Sequence, residues 1–197
     1  MRLFTLFTIF LTIISCQKKE TTQPVAPKKI SHPSPAQIKQ HIENEEEEEK
    51  EEVRGVVADD FEVGKNISEL LFTPLGGSSK VSLGSVIKGR GAVIDFWSTW
   101  CRPCVLMLPD MEKAHQKLHK DVAVISLSLD PSREAAQKII KEKGCTFPTF
   151  VADADLINSG IILPQTVIVN RKGVVTFVGH GRHSFEEIIA MVNKYNR

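Results

Sequence analysis

Apolar positions along this 197-residue chain fall into two periods. Ala92–Trp97 (AVIDFW) and Val122–Leu129 (VAVISLSL) are nearly continuous apolar runs, the pattern of strands buried on both faces. Between them, Met107, Met111 and Leu118 lie on roughly one face of a helix expected to start near Cys101–Pro103 and to run to about Lys117. Asp130-Pro131 reads as a cap residue followed by an N1 proline, opening a second helix that runs to Lys143 and stops at Gly144. Two hairpins flank this core. Leu70–Thr73 and Lys80–Leu83 bracket the turn residues Leu75-Gly76-Gly77-Ser78-Ser79, and Thr166–Val169 and Val174–Val178 bracket Asn170-Arg171-Lys172-Gly173. Ser184-Phe185-Glu186-Glu187 is a capping box for a last helix with Ile188, Ile189 and Val192 apolar. The order hairpin, β, α, β, α, β, β, α predicts an α/β domain whose parallel core carries antiparallel strands on one edge.

Ahead of this pattern the chain has a different character. Leu3–Ile14 (LFTLFTIFLTII) is apolar after the single basic residue Arg2, and is too short for a membrane span, which takes about 20 residues. Residues 1–15 therefore read as a signal peptide. Ile13-Ile14-Ser15-Cys16 resembles a bacterial lipobox, which implies that Cys16 is lipidated and becomes the mature N-terminus. Two or three acyl chains anchor stably where one is marginal. The alternative is an ordinary signal peptide with Cys16 incidental. Gln17 after the cysteine would favour the outer membrane under the enterobacterial sorting rule. Residues 16–52 read as a disordered acidic tether: prolines stand at 24, 27, 33 and 35, and Glu45–Glu52 is broken only by Lys50. The folded domain is expected over 53–197. The formal charge of +1 gives no global field that would draw the chain to nucleic acid.

The chemistry sits at Trp100-Cys101-Arg102-Pro103-Cys104. A C-x-x-C pair after a buried strand, where a helix begins, reads as a redox dithiol. Cys101 falls at the helix N-terminus, where free N–H groups and the dipole favour a thiolate. Cys104 lies one turn deeper on the same face, and Pro103 loses nothing in the first turn, where its N–H would be unpaired anyway. Zinc would need a second ligand pair. The candidates are poor: Cys145 is alone, and His115 and His119 form an i,i+4 pair that is ordinarily a solvated helix face.

The stretch Val93–Cys104 resembles the active-site segment of the thioredoxin superfamily, specifically its exported TlpA-like and ResA-like thiol–disulfide oxidoreductases. The resemblance covers about residues 67–197 and includes Pro109 within the helix and Leu163-Pro164-Gln165-Thr166, which matches the family's cis-proline loop. It implies a thioredoxin fold, a central mixed β-sheet flanked by helices, with an N-terminal β-hairpin addition. It also implies that Cys101 attacks a substrate disulfide, that Cys104 resolves the mixed disulfide, and that no cofactor is needed beyond that dithiol. Trp100, Arg102, Pro103, Leu163 and Pro164 would then meet the substrate chain, with Trp100 shielding the dithiol and Pro164 cis. Phe96 and Trp97 read as core.

Two positions depart from the ResA-like pattern: Asp95 stands where those proteins usually carry Asn, and Met107 where they carry Glu. A buried Asp95 should have its proton affinity raised by desolvation and could take the proton from Cys104, unless a lysine pairs with it for structure alone. Peroxidases of the peroxiredoxin type need Thr-x-x-Cys, and Thr99-Trp100-Cys101 has the wrong spacing. The reading is therefore a lipid-anchored envelope protein on the extracytoplasmic or periplasmic face. It would exchange disulfides with protein substrates as a reductant supplied by a membrane electron donor. The alternatives are a soft-metal (copper) chaperone, an oxidative disulfide-forming protein and a lipoprotein with a vestigial domain.

Overall fold

The computed structural model describes residues 55–118 and 120–196, together with Ser34, Ala36 and Lys39. The expected signal peptide, Cys16, the rest of the tether and His119 lie outside the described residues. The observed elements begin with a short 3-10 turn at Ala58–Phe61. The strands are β1 (Leu71–Pro74), β2 (Val81–Ser82), β3 (Ala92–Trp97), β4 (Ala123–Ser128), β5 (Thr149–Val151), β6 (Gln165–Val169) and β7 (Val175–His180). The helices are α1 (Leu83–Ile87), α2 (Arg102–Leu118), α3 (Arg133–Glu142), α4 (Ala154–Asn158) and α5 (Phe185–Tyr195). They form the thioredoxin-like arrangement the resemblance implied, around one mixed sheet in the order β2-β1-β5-β4-β3-β6-β7.

The central strand β3 occupies the residues its apolar run marks, and all six are buried. It pairs in parallel with β4 (Ala92 opposite Ala123) and antiparallel with β6 (Ala92 opposite Val169). The crossovers β3-α2-β4 and β4-α3-β5 step in the same direction along the sheet, so right-handed connections put α2 and α3 on the same face. On that face Trp97, Met107, Leu108, Met111, Ile168 and Ile188 pack into one core. The opposite face buries Phe61, Phe72, Leu83, Ile94, Phe96 and Leu156 in a second core, with Phe61 edge-on to Phe96 at 4.7 Å.

The capping box forms as read: Ser184 Oγ accepts from Glu187 N at 3.3 Å, and Glu187 Oε2 accepts from Ser184 N at 2.7 Å. Gly144, at φ 67°, takes the left-handed conformation that ends α3. In the β6–β7 turn, Asn170 Oδ1 accepts from Lys172 N and Val174 N, an Asx-type turn closed by Gly173 at φ 80°.

The sequence did not mark the short helix α4, and three further features differ from its expectation. The N-cap of α3 is Ser132, whose Oγ accepts from Ala135 N at 3.2 Å, and not Asp130. Asp130 is diverted because Thr99 in the β3–α2 loop and Ser128 on β4 claim its carboxylate. Strand β5 is also additional. It pairs in parallel with β4, and β1 pairs antiparallel with its other edge (Thr73 opposite Val151). The N-terminal hairpin therefore completes the sheet and is not an appendage beside it. Finally, Leu83 opens α1 where it was read as a strand residue, because Ser82 caps that turn through Ser85 N.

One acid holds α2 to the segment after α3. Glu112 is buried on α2 and accepts from Thr146 N and Thr146 Oγ1, each at 2.7 Å, and from Gln116 Nε2 at 3.1 Å. Burial pushes its carboxyl upward, but these hydrogen bonds, led by Thr146, together with the nearby His115, outweigh burial and leave it below the usual carboxylate range. A carboxyl lowered in the folded state contributes stability above its unfolded value of roughly 4.3, and that contribution is lost as pH falls through the folded value. Glu112→Gln is expected to cost about 2 kcal/mol at pH 7, with the gap to wild type closing below about pH 4. Urea unfolding at both pH values checks this, and an equal gap at both would mean the charge is irrelevant.

Candidate active site

Strand β3 ends at Trp97 and α2 begins at Arg102, so Ser98–Cys101 must turn the chain from sheet to helix. Cys101 occupies the N-cap of α2. Its carbonyl accepts from Val105 N at 3.1 Å, and its Sγ lies 3.4 Å from Cys104 N, which points its N–H at the sulfur. A sulfur here stands where a capping oxygen normally accepts, so the orphan N–H groups and the helix dipole stabilise negative charge on it once the pair is reduced. Cys101 and Cys104 are joined as a disulfide with a Cα separation of 5.3 Å.

Access is unequal. Cys101 is 6% exposed and Cys104 0%, while the adjacent Trp100 is 71% exposed. Arg102 and Pro103 are exposed in the first turn of α2. Phe96 and Trp97 are wholly buried, as core residues. Pro109 lies within α2, and Met107 is buried on its sheet-facing side.

The Leu163–Pro164 peptide is cis. Gln165 opposes Phe96 at the end of β3 that feeds the dithiol loop, so Pro164 sits at the same end of the sheet. Pro164 is buried, and Leu163 packs against the core that contains both cysteines. The end of β7 and the loop after it brace this segment: Gly181 N donates to Pro164 O at 2.9 Å, and His180 Nδ1 lies 3.4 Å from Ile162 O. His183 N lies 3.1 Å from Met107 Sδ, and Arg182 pairs with Asp110 at 3.5 Å, so the same loop also grips α2. Thus Trp100, Cys101, Arg102, Pro103, Cys104, Leu163 and Pro164 gather at one end of the sheet.

Asp95 lies beneath them. Strand alternation puts it between Val93 and Trp97 on the face that packs against α2. It is 0% exposed, and neither carboxylate oxygen has a hydrogen-bond partner among the described residues, lysine included. Burial therefore holds its carboxyl well above the usual range.

Asp130 is a site residue the sequence did not disclose. Its carboxylate accepts from Thr99 N at 2.8 and 3.1 Å, from Thr99 Oγ1 at 2.6 Å and from Ser128 Oγ at 2.9 Å. It thereby fixes the loop two residues before Cys101. The Asp-Pro pair hid this role, because the same residues open helices. Cys145 is half-buried. Burial, then the Glu112 charge, pushes its thiol up to about 12, so it stays protonated and is no nucleophile at neutral pH. His115 stacks edge-on with Phe147 at 6.2 Å, a packing role.

Comparison with known proteins agrees with this geometry. The profile of the AhpC/TSA family matches residues 54–178. The thiol-disulfide oxidoreductase ResA of Bacillus thuringiensis subsp. konkukian is 29% identical over 138 residues, which span 68% of this chain and 79% of that protein. Among solved structures, a thioredoxin-family thiol:disulfide interchange protein from Chlorobium tepidum TLS superposes with a TM-score of 0.60 at 20% identity, covering 68% of this chain and 97% of its own. A secreted Mycobacterium tuberculosis disulfide oxidoreductase, described as homologous to E. coli DsbE, gives 0.55 at 21% identity, covering 64% and 96%. These structural likenesses carry the fold.

Removing the Asp130 anchor tests the loop. Asp130→Ala leaves the Thr99 amide and hydroxyl without acceptors, which is expected to cost about 2 to 3 kcal/mol of stability. Misplacing Cys101 is expected to slow its attack about tenfold, since shifts of about 1 Å can cost up to a hundredfold. Stopped-flow reaction of reduced protein with a model disulfide reads the second effect. A stability loss with an unchanged attack rate would reduce Asp130 to a scaffold residue.

Proposed function

The chain belongs to the AhpC/TSA family and is a thioredoxin-like thiol–disulfide oxidoreductase; we propose that it works outside the cytoplasm, lipid-anchored through Cys16, as a reductant of protein disulfides. The observation that carries the chemistry is Cys101 at the N-cap of α2, its sulfur facing the Cys104 N–H, with Cys104 buried behind it.

In the reduced protein the Cys101 thiolate attacks one sulfur of a substrate disulfide. A Cys101–substrate bond forms, the substrate S–S bond breaks, and the first substrate thiolate leaves. The Cys104 thiol then gives its proton to Asp95. The resulting thiolate attacks Cys101 Sγ, closes the Cys101–Cys104 disulfide and expels the second substrate thiolate. Two electrons pass to the substrate, and the expelled thiolates take protons from water. Asp95 suits this role because desolvation makes it a far better proton acceptor than an exposed carboxylate. Trp100, Arg102, Pro103, Leu163 and Pro164 border the path of the substrate chain.

The reductant direction rests on physical argument. Structural disulfides persist in an oxidising compartment, so a reducing dithiol there needs a membrane electron donor to restore it. A helix dipole and an exposed arginine each contribute about 0.3 to 1 kcal/mol to the thiolate, too little to make the couple a strong oxidant. Location rests on the signal-like residues 1–16 and on a structural neighbour described as secreted.

Four measurements test this reading. The reduced protein should reduce insulin, Cys101→Ser should abolish that, and Cys104→Ser should accumulate a mixed disulfide. Equilibration with glutathione should give a potential near that of thioredoxin, about −270 mV; a value near −120 mV would make oxidative folding the better reading. Stoichiometric Cu(I) retention without insulin reduction would replace it by metal delivery. Separately, Cys16→Ala should move the protein from membrane to soluble fractions. If the variant still pellets with membranes, the lipid is not the anchor.

A further inference from the structure

A row of polar side chains crosses the sheet beneath α2: Thr166 on β6, Asp95 on β3, Ser126 on β4 and Thr149 on β5. Asp95 is directly opposite Thr166 on one side and Ser126 on the other, and Ser126 is opposite Thr149. Asp95, Ser126 and Thr166 are all fully buried.

The hydroxyl protons of this row can be followed. Thr149 Oγ1 donates to Phe147 O at 3.4 Å, so it receives the Ser126 Oγ proton at 2.9 Å. Ser126 has therefore spent its proton and faces Asp95 only as an acceptor. Among the described residues, Thr166 Oγ1 has no hydrogen-bond partner, and neither has either oxygen of Asp95. Opposed side chains on antiparallel strands have Cβ atoms about 4.5 to 5.5 Å apart, so a side-chain rotation brings hydroxyl and carboxylate together. The free donor and the free acceptor are thus neighbours in a place closed to bulk solvent.

We propose that Thr166 is a positioning residue for Asp95, its hydroxyl donating to the carboxylate while that group is ionised and waiting for the Cys104 proton. When the proton moves from Cys104 sulfur to Asp95 oxygen, the new carboxylic O–H turns to the Ser126 Oγ lone pair and the Thr166 bond is released. No electron moves in this step; one S–H bond breaks and one O–H bond forms. The inference rests on the proposed role of Asp95 as proton acceptor. The titratable groups on this face include Cys101 and Cys104 at the head of α2, Glu112 and His115 farther along it, Cys145 after α3 and Tyr195 on α5; β4 and β6 oppose Asp95 with hydroxyls alone. Burial is the sole cause of the raised Asp95 carboxyl, so a single lost donor should be visible against it.

Thr166→Val removes the hydroxyl at nearly constant volume, and Thr166→Ser keeps it. Carboxyl carbon NMR on the reduced full-length protein reads the Asp95 midpoint directly. Quenched flow reads attack by Cys101 and resolution by Cys104 separately. The Asp95 midpoint should rise by about one pH unit in the valine variant and return with serine, as expected for losing a hydrogen bond to a charged group. The resolution profile should shift equally while attack is unchanged, and valine should add nothing in an Asp95→Asn background. An unmoved Asp95 midpoint in Thr166→Val overturns the Thr166 assignment. A midpoint that moves while resolution ignores it keeps the Thr166–Asp95 bond and overturns Asp95 as the proton acceptor. Should valine prevent folding, Thr166→Ala is read by the same two criteria.

Discussion

Everything at this site depends on how a strand buried on both faces hands over to a helix within Ser98–Cys101. The handover is held from three sides. Leu129 N donates to Trp97 O at 2.8 Å, Cys101 N donates to Ser98 O at 3.2 Å, and Asp130 takes the Thr99 amide and hydroxyl. The sulfur of Cys101 is then not free to wander. It sits at the junction of two rigid elements, where the first turn of α2 supplies a donor without reorganising. The same junction hides Cys104, so the two thiols differ in access although they differ by only one helical turn.

The two acids on this face show how the surroundings set opposite chemistry for one functional group. Glu112 meets donors on its buried side and is held ionised; Asp95 meets none among the described residues, and burial raises its affinity for a proton. Environments that push two carboxyls apart divide structural from chemical roles. The consequences for stability run in opposite directions. The neutral Asp95 fits the fold, so stability present at low pH is lost as pH rises through its raised folded value, whereas the Glu112 contribution is lost as pH falls. A protein that kept Asp95 only for packing would gain from replacing it with an apolar residue.

Much of this was legible in the sequence, and the parts that were not share a cause. Ala92–Trp97 could be bounded to the residue because a continuous apolar run needs burial on both faces. The dithiol and the Leu163–Pro164 loop were legible through the family resemblance and the helix-opening position of Cys101. Strand β5 was not, since the three residues between Pro148 and Ala152 carry almost no periodic signal and pair only because β4 and β1 offer edges. Asp130 was misassigned because Asp-Pro has a strong local meaning, while the Thr99 donors that outcompete it arrive through tertiary structure. The opposition of Asp95 and Thr166 is likewise a matter of register between strands far apart in sequence, which no local pattern specifies. The readings on residues 1–16 and on the tether, apart from Ser34, Ala36 and Lys39, fall outside the described residues and rest on the sequence alone.

The docking of the N-terminal hairpin on β5 has a kinetic side. The partners of Thr73 and Pro74 are Val151 and Phe150, so this part of the sheet closes a long loop. Contacts at such separation form late and slow folding. A chain emerging amino-terminus first exposes Leu71–Leu83 long before its partner strand exists. Until then those residues present an unpaired apolar hairpin, so the interval between emergence and closure is when the nascent protein is most prone to wrong association and most dependent on being kept apart from other chains.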